Sequence, residues 1–462
     1  MENKSHRSKR FFNGFLIVGV FLLGLGTGSQ IIGDSADRKL SKPALQELFN
    51  TVLYHVENDY VDDTEQQKLF FGAIKGMLTA LDDPHTRFMT PDNYRELQAE
   101  TRGNFGGLGI EISIRDSVLT VVSPIEDTPA MRVGIKPGDK IVEIEKESTR
   151  DISLMDAVKK LRGSPGSSVN ITVAREGEEE LLYFDIVREV IKIEVVSQEF
   201  LEKERIGYIR LKQFSATSAN DLERIIKDMT ESKKAKGLIL DLRWNPGGLL
   251  DAAHRIANFF VKDGVIVSTK GRKPQLDKVF NAVPGNAIAA DIPLVILANE
   301  GSASASEIVT GAVKDTKRGV VIGTKTFGKG SVQHVIPLMH NTAIALTIQK
   351  YYTPSGESIH RKGIKPDIEV KLPDFTKDDR RHFREIKDKK IIKAYLEKNP
   401  GYTPDNIKKF QDEMKKQGLG LSDYAAKRAL KDEINKNEKR PVIDREFDTQ
   451  LNKAIEQLKT MI

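Results

Sequence analysis

Residues 299–308 have the residue types and the position that nucleophilic catalysis needs. They read NEGSASASEI and lie between an apolar stretch, IPLVILA, and a helical pattern. A helix N-terminus offers unpaired N–H groups and the positive end of the helix dipole, both of which stabilise an oxyanion. Ser304 stands at that position, and the neighbouring alanines leave room for a substrate backbone. Ser304 and Glu307 also match the Ser-x-x-Glu capping box, so the residues alone leave two roles open for Ser304: nucleophile or helix cap.

A second segment, residues 319–333, places a lysine in a glycine-rich turn after a strand. It reads GVVIGTKTFGKGSVQ, with Lys329 between two glycines and Gln333 shortly after it. The run GTKTFGK nearly matches the phosphate-binding loop Gly-x-x-x-x-Gly-Lys-[Ser/Thr], but Gly330 stands where Ser or Thr is required. That motif also opens a helix, whereas SVQHVIPL has the pattern of a strand. The sequence therefore argues against nucleotide binding.

The third segment is DLRWNPGG, residues 241–248, which ends a buried strand in a tight turn. A strand end followed by Asn-Pro-Gly-Gly exposes backbone N–H groups that could bind an oxyanion, although a plain strand-to-helix turn is the alternative. Around these segments, residues 191–372 alternate apolar strands with amphipathic helices. That alternation predicts a mixed α/β core.

Residues 102–190 have a different pattern. A glycine-rich loop, GNFGGLGIEISI, leads into several short strands, a Lys-Pro-Gly-Asp turn and the amphipathic helix SLMDAVKKLRG. These elements predict a small, partly open β-barrel with two helices, and the stretch resembles a PDZ domain. Gly107, Leu108, Gly109 and Ile110 match the Gly-Leu-Gly-hydrophobic loop of PDZ domains. Such glycines let successive N–H groups converge on a terminal carboxylate, while the adjacent strand edge accepts the peptide as an added strand.

The flanking regions are predicted to be helical. Residues 37–101 contain the amphipathic patterns LQELFNTVLYHVENDY and QKLFFGAIKGMLTAL, followed by a proline-broken turn. Asp82, Asp83 and His85 in that turn have the wrong spacing for a helical ligand pair, so no metal site is predicted. Residues 373–462 are highly charged and helical. The last helix carries its apolar residues on one face, which indicates packing or dimer contacts.

Residues 1–36 have the features of an export signal. An apolar run from Phe11 to Leu25 follows a basic cluster and fades towards Asp34. The basic residues are Lys4, Arg7, Lys9 and Arg10. This pattern fits a signal peptide or a membrane anchor, and the lack of a clear small-x-small cleavage site favours the anchor. We therefore expect the rest of the chain to lie in the cell envelope, outside the cytoplasm.

The composition agrees with a folded protein of several domains. The 462 residues include no cysteine, which excludes disulfides and thiolate nucleophiles. The net charge of +6 is spread over lysine-rich helices with acidic neighbours, so no nucleic-acid partner is predicted. We predict an α/β multidomain protein in which a PDZ domain is inserted between a helical N-terminal region and a mixed α/β core, with a helical region at the C-terminus.

Taken in order, the PDZ-like stretch, DLRWNPGG, GSASASE and TFGKGSVQ resemble the carboxy-terminal processing proteases, also called tail-specific proteases. The resemblance covers about residues 40–372. It implies an endopeptidase that uses a serine–lysine dyad and needs no cofactor. Carried over by motif, Ser304 is the nucleophile, Lys329 the general base and Gln333 the residue that orients the lysine. The other serines of these motifs, which are expected to be structural, are Ser302, Ser306 and Ser331.

The same resemblance implies further roles. Ala305 and either Gly247 or Gly248 would form the oxyanion hole, and Arg162 matches a family arginine that couples the PDZ domain to the active site. The PDZ domain would capture protein substrates by an apolar C-terminus and gate the activity. The family often pairs through its terminal helices, so a homo-oligomer is expected, of which a dimer is one form, and the oligomeric state stays open. The family usually carries a small or polar residue where Trp244 stands, which leaves the substrate subsites open.

A lysine acts as a base only when it is neutral. Its ordinary pKa of about 10.4 lies about three units above a working pH of 7, which opposes the neutral form by roughly 4 kcal/mol. Burial lowers a lysine pKa, and Phe327 and Val332 are the apolar neighbours expected to bury Lys329. Gln333 can accept a hydrogen bond from the amine without adding a negative charge, which would raise the pKa.

Two other functions compete with this interpretation. The first is a PDZ adaptor whose protease core has decayed, but Ser304, Lys329 and Gln333 are all present. The second is a nucleotide-binding α/β protein, which a nucleotide-binding assay would distinguish.

Overall fold

The computed structural model describes residues 40–115, 117–436 and 441–462, without the side chains of residues 387 and 388. In these residues no helix is both long and apolar enough to cross a membrane. The predicted export signal, residues 1–36, lies outside the described residues. The chain divides into one unit that ends at Gly72 and a second unit from Ala73 to Ile462.

The first unit contains helix α1 (Lys42–Asp59) and the start of helix α2 (Gln66–Thr79). The Ser41 hydroxyl accepts a hydrogen bond from the Ala44 N–H, which caps α1. The apolar side chains of α1 are largely exposed; they include Leu45, Leu48, Phe49 and Val52. These helices agree with the helical pattern predicted for this part of the chain.

The region predicted as a PDZ domain follows a short strand and a helix, and folds around its own apolar core. Its main sheet has the strand order β3-β4-β5-β7-β8, with β6 paired to β5. Strands β2 and β9 form a separate antiparallel ribbon where the chain enters and leaves this region. The elements up to this point are β1 (Arg87–Met89), α3 (Pro91–Arg102), β2 (Asn104–Gly107), β3 (Ile110–Arg115), β4 (Val118–Pro124), α4 (Pro129–Arg132), β5 (Lys140–Ile144), β6 (Glu147–Ser148), α5 (Leu154–Leu161), β7 (Ser168–Ala174), β8 (Leu182–Val187) and β9 (Glu189–Lys192).

The central sheet has the strand order β10-β11-β12-β15-β16-β19. Strand β10 is antiparallel to β11, and the remaining pairs are parallel. Helices α6, α7 and α8 cover one face of the sheet. The elements are β10 (Val196–Leu201), β11 (Ile206–Leu211), α6 (Ser218–Lys227), β12 (Gly237–Asp241), α7 (Leu250–Asn258), β13 (Val265–Gly271), β14 (Lys278–Asn281), β15 (Leu294–Ala298), α8 (Ala305–Asp315), β16 (Val320–Gly323), β17 (Ser331–Pro337), β18 (Ala343–Tyr352) and β19 (Ile368–Glu369).

A second sheet is built around β18. Strand β17 pairs along one edge of β18, while β1 and β13 pair with successive parts of the other edge, and β14 extends the sheet beyond β13. Strand β1 belongs to the segment before the PDZ region, so the N-terminal part of this unit contributes directly to the mixed α/β core. Alternating strands and helices were predicted for residues 191–372, but this long-range pairing of β1 was not.

The C-terminal region contains helices that pack on one another and a last helix that packs elsewhere. Helices α9 to α12 share an apolar core that includes Tyr395, Phe410 and Leu430. Helix α13 lies on the face of the central sheet opposite α6, α7 and α8. The elements are α9 (Lys377–Asp388), α10 (Ile391–Lys398), α11 (Pro404–Lys416), α12 (Asp423–Ile434) and α13 (Thr449–Met461). Packing was one of the two roles predicted for the apolar face of α13.

Candidate active site

The three segments singled out from the sequence follow three neighbouring parallel strands. DLRWNPGG continues from β12, NEGSASAS follows β15, and TKTFGKG follows β16. Because these strands are parallel and adjacent, their carboxyl ends lie at one edge of the sheet. Ligands of open α/β sheets bind outside the carboxyl ends of the strands. The fold therefore brings the predicted site residues into one region.

Ser304 occupies a strained backbone conformation at the first turn of α8. Its φ and ψ are 56° and −112°, a region that non-glycine residues seldom adopt and that costs on the order of 1–3 kcal/mol. The Glu307 carboxylate accepts a hydrogen bond from the Ser304 N–H at 2.9 Å, which is the glutamate half of the predicted capping box. Strain of this kind accompanies nucleophilic serines on sharp strand-to-helix turns. The geometry thus gives Ser304 a feature that capping alone does not require.

The neighbouring serines hold this turn in place. The Ser302 hydroxyl donates to the Leu242 carbonyl at 2.8 Å, and the Ser306 hydroxyl donates to the Asn245 carbonyl at 2.9 Å. Ala303 N–H donates to the same Asn245 carbonyl at 3.0 Å. The GSASAS run is therefore bonded to the DLRWNPGG segment, in keeping with the structural role expected of Ser302 and Ser306.

Gly247 lies directly against the serine turn. A side chain there would collide with Ser304 Cβ at 2.8 Å and Ala305 N at 2.9 Å, and its φ of +104° also favours glycine. The Gly247 N–H already donates to Asn245 Oδ1 at 2.9 Å. By contrast, no hydrogen-bond acceptor is found within the described part of the chain for the backbone N–H of Gly248 or Ala305. Of the two glycines that the sequence left open, Gly248 has the unused N–H.

Lys329 is partly buried beside the serine turn. Burial and the positive charge of Arg87 hold the pKa of Lys329 below its usual value, against the opposing effect of Asp83 and Glu307. Phe327 does not provide this burial, since its side chain is 63% exposed. That expectation was wrong because the backbone turns at Phe327, where its N–H donates to the Ser302 carbonyl at 3.0 Å. Val332 is partly buried and packs against the apolar core.

Glu307 connects the serine turn to the lysine loop. Besides the Ser304 N–H, its carboxylate accepts hydrogen bonds from Thr326 Oγ1, Gly328 N–H and Lys329 N–H at 2.6 to 2.8 Å. The side chain is fully buried, and burial raises the pKa of Glu307 while these hydrogen bonds lower it. The sequence identified Glu307 only as a capping residue. Its contacts with the lysine loop make it a positioning residue of the site.

Gln333 is held by neighbouring hydroxyl groups. Its Nε2 donates to Ser331 Oγ at 2.8 Å and to Thr347 Oγ1 at 3.1 Å, and neither bond uses the amide oxygen. Among the residues the structure describes, no hydrogen bond joins Lys329 Nζ to Ser304 or to Gln333. In substrate-free active sites the catalytic hydrogen bonds are commonly long and shorten when the substrate binds.

The segment Asp83–Arg87 is the part of the site that the sequence missed. Asp83 accepts a hydrogen bond from Thr86 Oγ1 at 2.6 Å, and Thr86 Oγ1 accepts one from Thr347 N–H at 3.1 Å. Thr347 in turn contacts Gln333, so a chain of hydrogen bonds runs from this segment to Gln333. The pKa of His85 is lowered by burial and by the nearby positive charge of Lys329. This segment, which the sequence suggested was only a turn, is therefore adjacent to Lys329 and Gln333.

Strand register explains why Arg87 lies on the same side as Gln333. Arg87 and Val335 both pair with Ala345, from opposite edges of β18, and Gln333 pairs with Thr347. Directly paired residues share a face of the sheet, and so do residues two apart along a strand. Arg87 and Gln333 consequently share one face of this sheet, and the positive charge of Arg87 acts on Lys329.

A buried ion network supports the loop before the two glycines. The Arg243 guanidinium bonds to Asp241 at 2.5 Å and to Asp448, the residue that caps α13, at 2.7 Å. Tyr208 donates to the same Asp241 carboxylate at 2.7 Å. The last helix is thereby tied to the start of the DLRWNPGG segment, a connection that neither segment indicates on its own.

The predicted peptide-binding loop lines a groove of the PDZ region. Gly107, Leu108, Gly109 and Ile110 border it together with Arg162 from the end of α5. Gly109 has a φ of +76°, and an added side chain would clash with Thr128. The Arg162 guanidinium lies 4.3 Å from the centre of the Phe105 ring. The structure places Arg162 at the groove, and its predicted regulatory role stays a prediction.

The described residues contain no group of three or more histidine, aspartate or glutamate side chains that could hold a metal ion. Asp82, Asp83 and His85 thus form no such group, and the structure assigns Asp83 to hydrogen bonds with Thr86 and the His85 N–H.

Comparison with known proteins gives matches along most of the chain. The model of peptidase family S41 matches residues 205–370, the PDZ domain matches 120–175, and the activating protease CtpB N-terminal domain matches 30–93. A carboxy-terminal-processing protease from Bartonella bacilliformis is 42% identical over 363 residues, which are 78% of this chain and 82% of that protein. The carboxy-terminal processing protease CtpB from Bacillus subtilis is 33% identical over 424 residues, 87% of each chain.

A solved structure, the photosystem II D1 C-terminal processing protease, is 30% identical and covers 70% of this chain and 88% of its own, with a TM-score of 0.42. The identity and coverage of the relatives establish the family, and the S41 and PDZ matches confirm the predicted combination of a mixed α/β core with a PDZ domain. The chain therefore belongs to peptidase family S41 and is a carboxy-terminal processing serine protease with a PDZ domain.

Proposed function

We propose that this protease uses Ser304 as nucleophile and Lys329 as general base to cut exported proteins that it captures by an apolar C-terminus. The observation that carries the proposal is the convergence of three loops at one sheet edge. They bring together a strained serine, a lysine of lowered pKa, and two backbone N–H groups for which the described residues provide no acceptor.

The chemistry follows from these groups. Neutral Lys329 takes the proton of the Ser304 hydroxyl as its oxygen attacks the substrate carbonyl carbon. The N–H groups of Ala305 and Gly248 stabilise the resulting oxyanion. The protonated lysine then gives its proton to the leaving amine, which breaks the peptide bond and leaves an acyl-enzyme. Lys329 then deprotonates a water that attacks the acyl carbonyl carbon, and it returns the proton to Ser304 Oγ as the acid leaves, which restores the serine and the neutral lysine. Gln333, held by Ser331 and Thr347, orients the lysine through its amide oxygen.

Three further parts of the proposal rest on the sequence and on exposed surfaces. The basic cluster followed by the apolar run supports export and an uncleaved membrane anchor. The glycine-rich PDZ groove supports capture of a C-terminal carboxylate. The exposed apolar residues of α1 support pairing of two copies through the terminal helices. In this proposal Arg162 couples the occupied groove to the active site.

The preference for a free apolar tail is tested with paired substrates. We expect an unstructured peptide ending in apolar residues to be cut with a kcat/KM about tenfold or more above that of the same peptide ending in aspartates, because only the first fits the groove. Tenfold corresponds to about 1.4 kcal/mol of binding. Mass spectrometry of the products gives both the rate and the bond that is cut.

The matched variant is Gly109→Ala, which places a methyl group against Thr128 and distorts the peptide-binding loop. It should reduce the difference between the two tails while the cut bond stays the same. Equal cutting of both tails by the wild-type protein would refute tail capture. A wild-type protein that cuts neither peptide nor any unfolded protein would refute the proposed protease mechanism itself.

The pH dependence tests the role of Lys329. Since only the neutral amine is a base, kcat/KM should rise with pH and reach half its maximum at the pKa of Lys329, below the usual lysine value of about 10.4. Arg87→Gln removes a nearby positive charge and should move this midpoint to higher pH. Arg95, an exposed residue of α3 paired with Asp92, supplies the control Arg95→Gln. Rates that fall as pH rises, or equal midpoints for both variants, would contradict this assignment.

A further inference from the structure

Trp244 is an exposed aromatic residue in a strained backbone conformation beside the serine turn. It is the single tryptophan of the sequence, and 58% of it is exposed. Its φ is +60°, which is unfavourable for a bulky residue, and its backbone N–H is fixed by Asn299 Oδ1 at 2.9 Å. A large apolar side chain held in a strained, solvent-exposed position suggests a binding role rather than a packing role.

The indole lies against the segment that leads to Ser304. A side chain at Gly301 would meet Trp244 Cε3 at 2.5 Å and Cδ2 at 3.1 Å, so position 301 is glycine because the indole occupies that space. Asn299 Oδ1 also accepts the Gly301 N–H at 3.0 Å, which holds the two segments together. The ring is therefore fixed next to residues 299–302 and does not depend on a flexible loop for its position.

Phe327, on the lysine loop, is a second exposed aromatic residue beside the same segment. It is 63% exposed, and its N–H donates to the Ser302 carbonyl at 3.0 Å. Trp244 precedes Gly248, the glycine assigned to the oxyanion hole, and Phe327 precedes Lys329. Both loops that serve the chemistry thus present an exposed aromatic side chain where they contact the segment before Ser304. Aromatic side chains of this kind contribute much of the binding energy when they become buried.

From this placement we propose that Trp244, together with Phe327, binds an apolar side chain of the substrate beside the scissile bond and so determines which bond is cut. This inference rests on the proposed function. It adds a second requirement for the substrate, an apolar side chain beside the scissile bond. This requirement is separate from the capture of the C-terminus by the PDZ groove. A substrate with only small or charged residues around the cut site would leave the indole in water.

The single tryptophan permits a direct test on the full-length Ser304→Ala protein. The probe is a tryptophan-free peptide with apolar residues around the cut site and an amidated C-terminus, which weakens capture by the PDZ groove. Tryptophan emission should shift to shorter wavelength as the peptide saturates the protein, with the Kd found by anisotropy of a labelled copy. Saturable binding without any change in tryptophan emission would overturn the proposal.

Kinetics of the active protein give the second test. Trp244→Ala should raise KM for the apolar-flanked peptide about tenfold with little change in kcat, and Trp244→Phe should restore most of the loss. For a peptide with alanines around the cut site, Trp244→Ala should change little. Tyr183→Ala, at a 75% exposed aromatic residue of β8, is the control and should leave both peptides unaffected.

The outcomes separate this inference from the proposed function. Equal losses of kcat for both peptides would show that Trp244 only supports the fold of its loop, and would overturn the inference. If the wild-type protein cuts the peptides but Trp244→Ala keeps the same KM, the proposed function is retained and the proposed role of Trp244 is refuted. If the wild-type protein cuts neither peptide, the proposed function itself fails.

Discussion

Ser304→Ala and Lys329→Ala are each expected to lower kcat for peptide hydrolysis by about 10³–10⁴ or more while the protein remains folded. The first removes the attacking oxygen and the second removes the base. Because the two groups act in one step, the double variant should be no worse than either single variant. Peptide cleavage followed by mass spectrometry measures the losses, and circular dichroism confirms that each variant is folded.

Lys329→Arg is the sharper control for the lysine. An arginine keeps the positive charge and much of the length, but it does not lose its proton in proteins, so it cannot act as a base. It should be as inactive as Lys329→Ala. An arginine variant with near wild-type activity would show that position 329 acts only through its charge. Equal cutting by the wild type, Ser304→Ala and Lys329→Ala would end the dyad hypothesis.

The sequence predicted the parts of the site that depend on local patterns. The strand ends before NPGG, GSASAS and GKG could be recognised because buried parallel strands are continuous apolar runs, and glycines mark the tight turns after them. The convergence of these turns follows once the strands are parallel and adjacent. The family resemblance added roles for Ser304 and Lys329 that residue patterns alone had left open.

The parts that were missed depend on contacts between distant segments. Thr86 and Thr347 are 261 positions apart in the chain, yet their hydrogen bond joins the Asp83–Arg87 segment to the site. The sequence pattern of this segment predicts a turn and nothing more. The pairing of β1 with β18 is what brings the segment beside Lys329. The prediction that Phe327 buries Lys329 was wrong for a related reason. An apolar residue suggests burial, but the direction of its side chain depends on how its loop is bonded to Ser302.

Glu307→Ala should be the most damaging substitution outside the dyad. The carboxylate is the acceptor for four donors from Ser304, Thr326, Gly328 and Lys329. Without it these buried groups lose their partner, and each unsatisfied group costs about 1–3 kcal/mol. We expect a loss of several kcal/mol in the free energy of unfolding, in the range of about 3–5 kcal/mol for a broken buried network. Urea denaturation measures it.

The activity of Glu307→Ala should fall by more than its loss of folded protein accounts for. The reason is that the same carboxylate fixes both the serine turn and the backbone of Lys329. Under conditions where the variant is folded, kcat should drop by about 10² or more, because a small misplacement of catalytic groups has effects of this size. Thr326→Val removes one of the four hydrogen bonds and should show a smaller loss of both quantities. If Glu307→Ala does not fold, Glu307→Gln, which keeps the shape and one acceptor oxygen, serves instead. A folded variant at position 307 with wild-type kcat would show that the lysine loop is positioned by its other contacts.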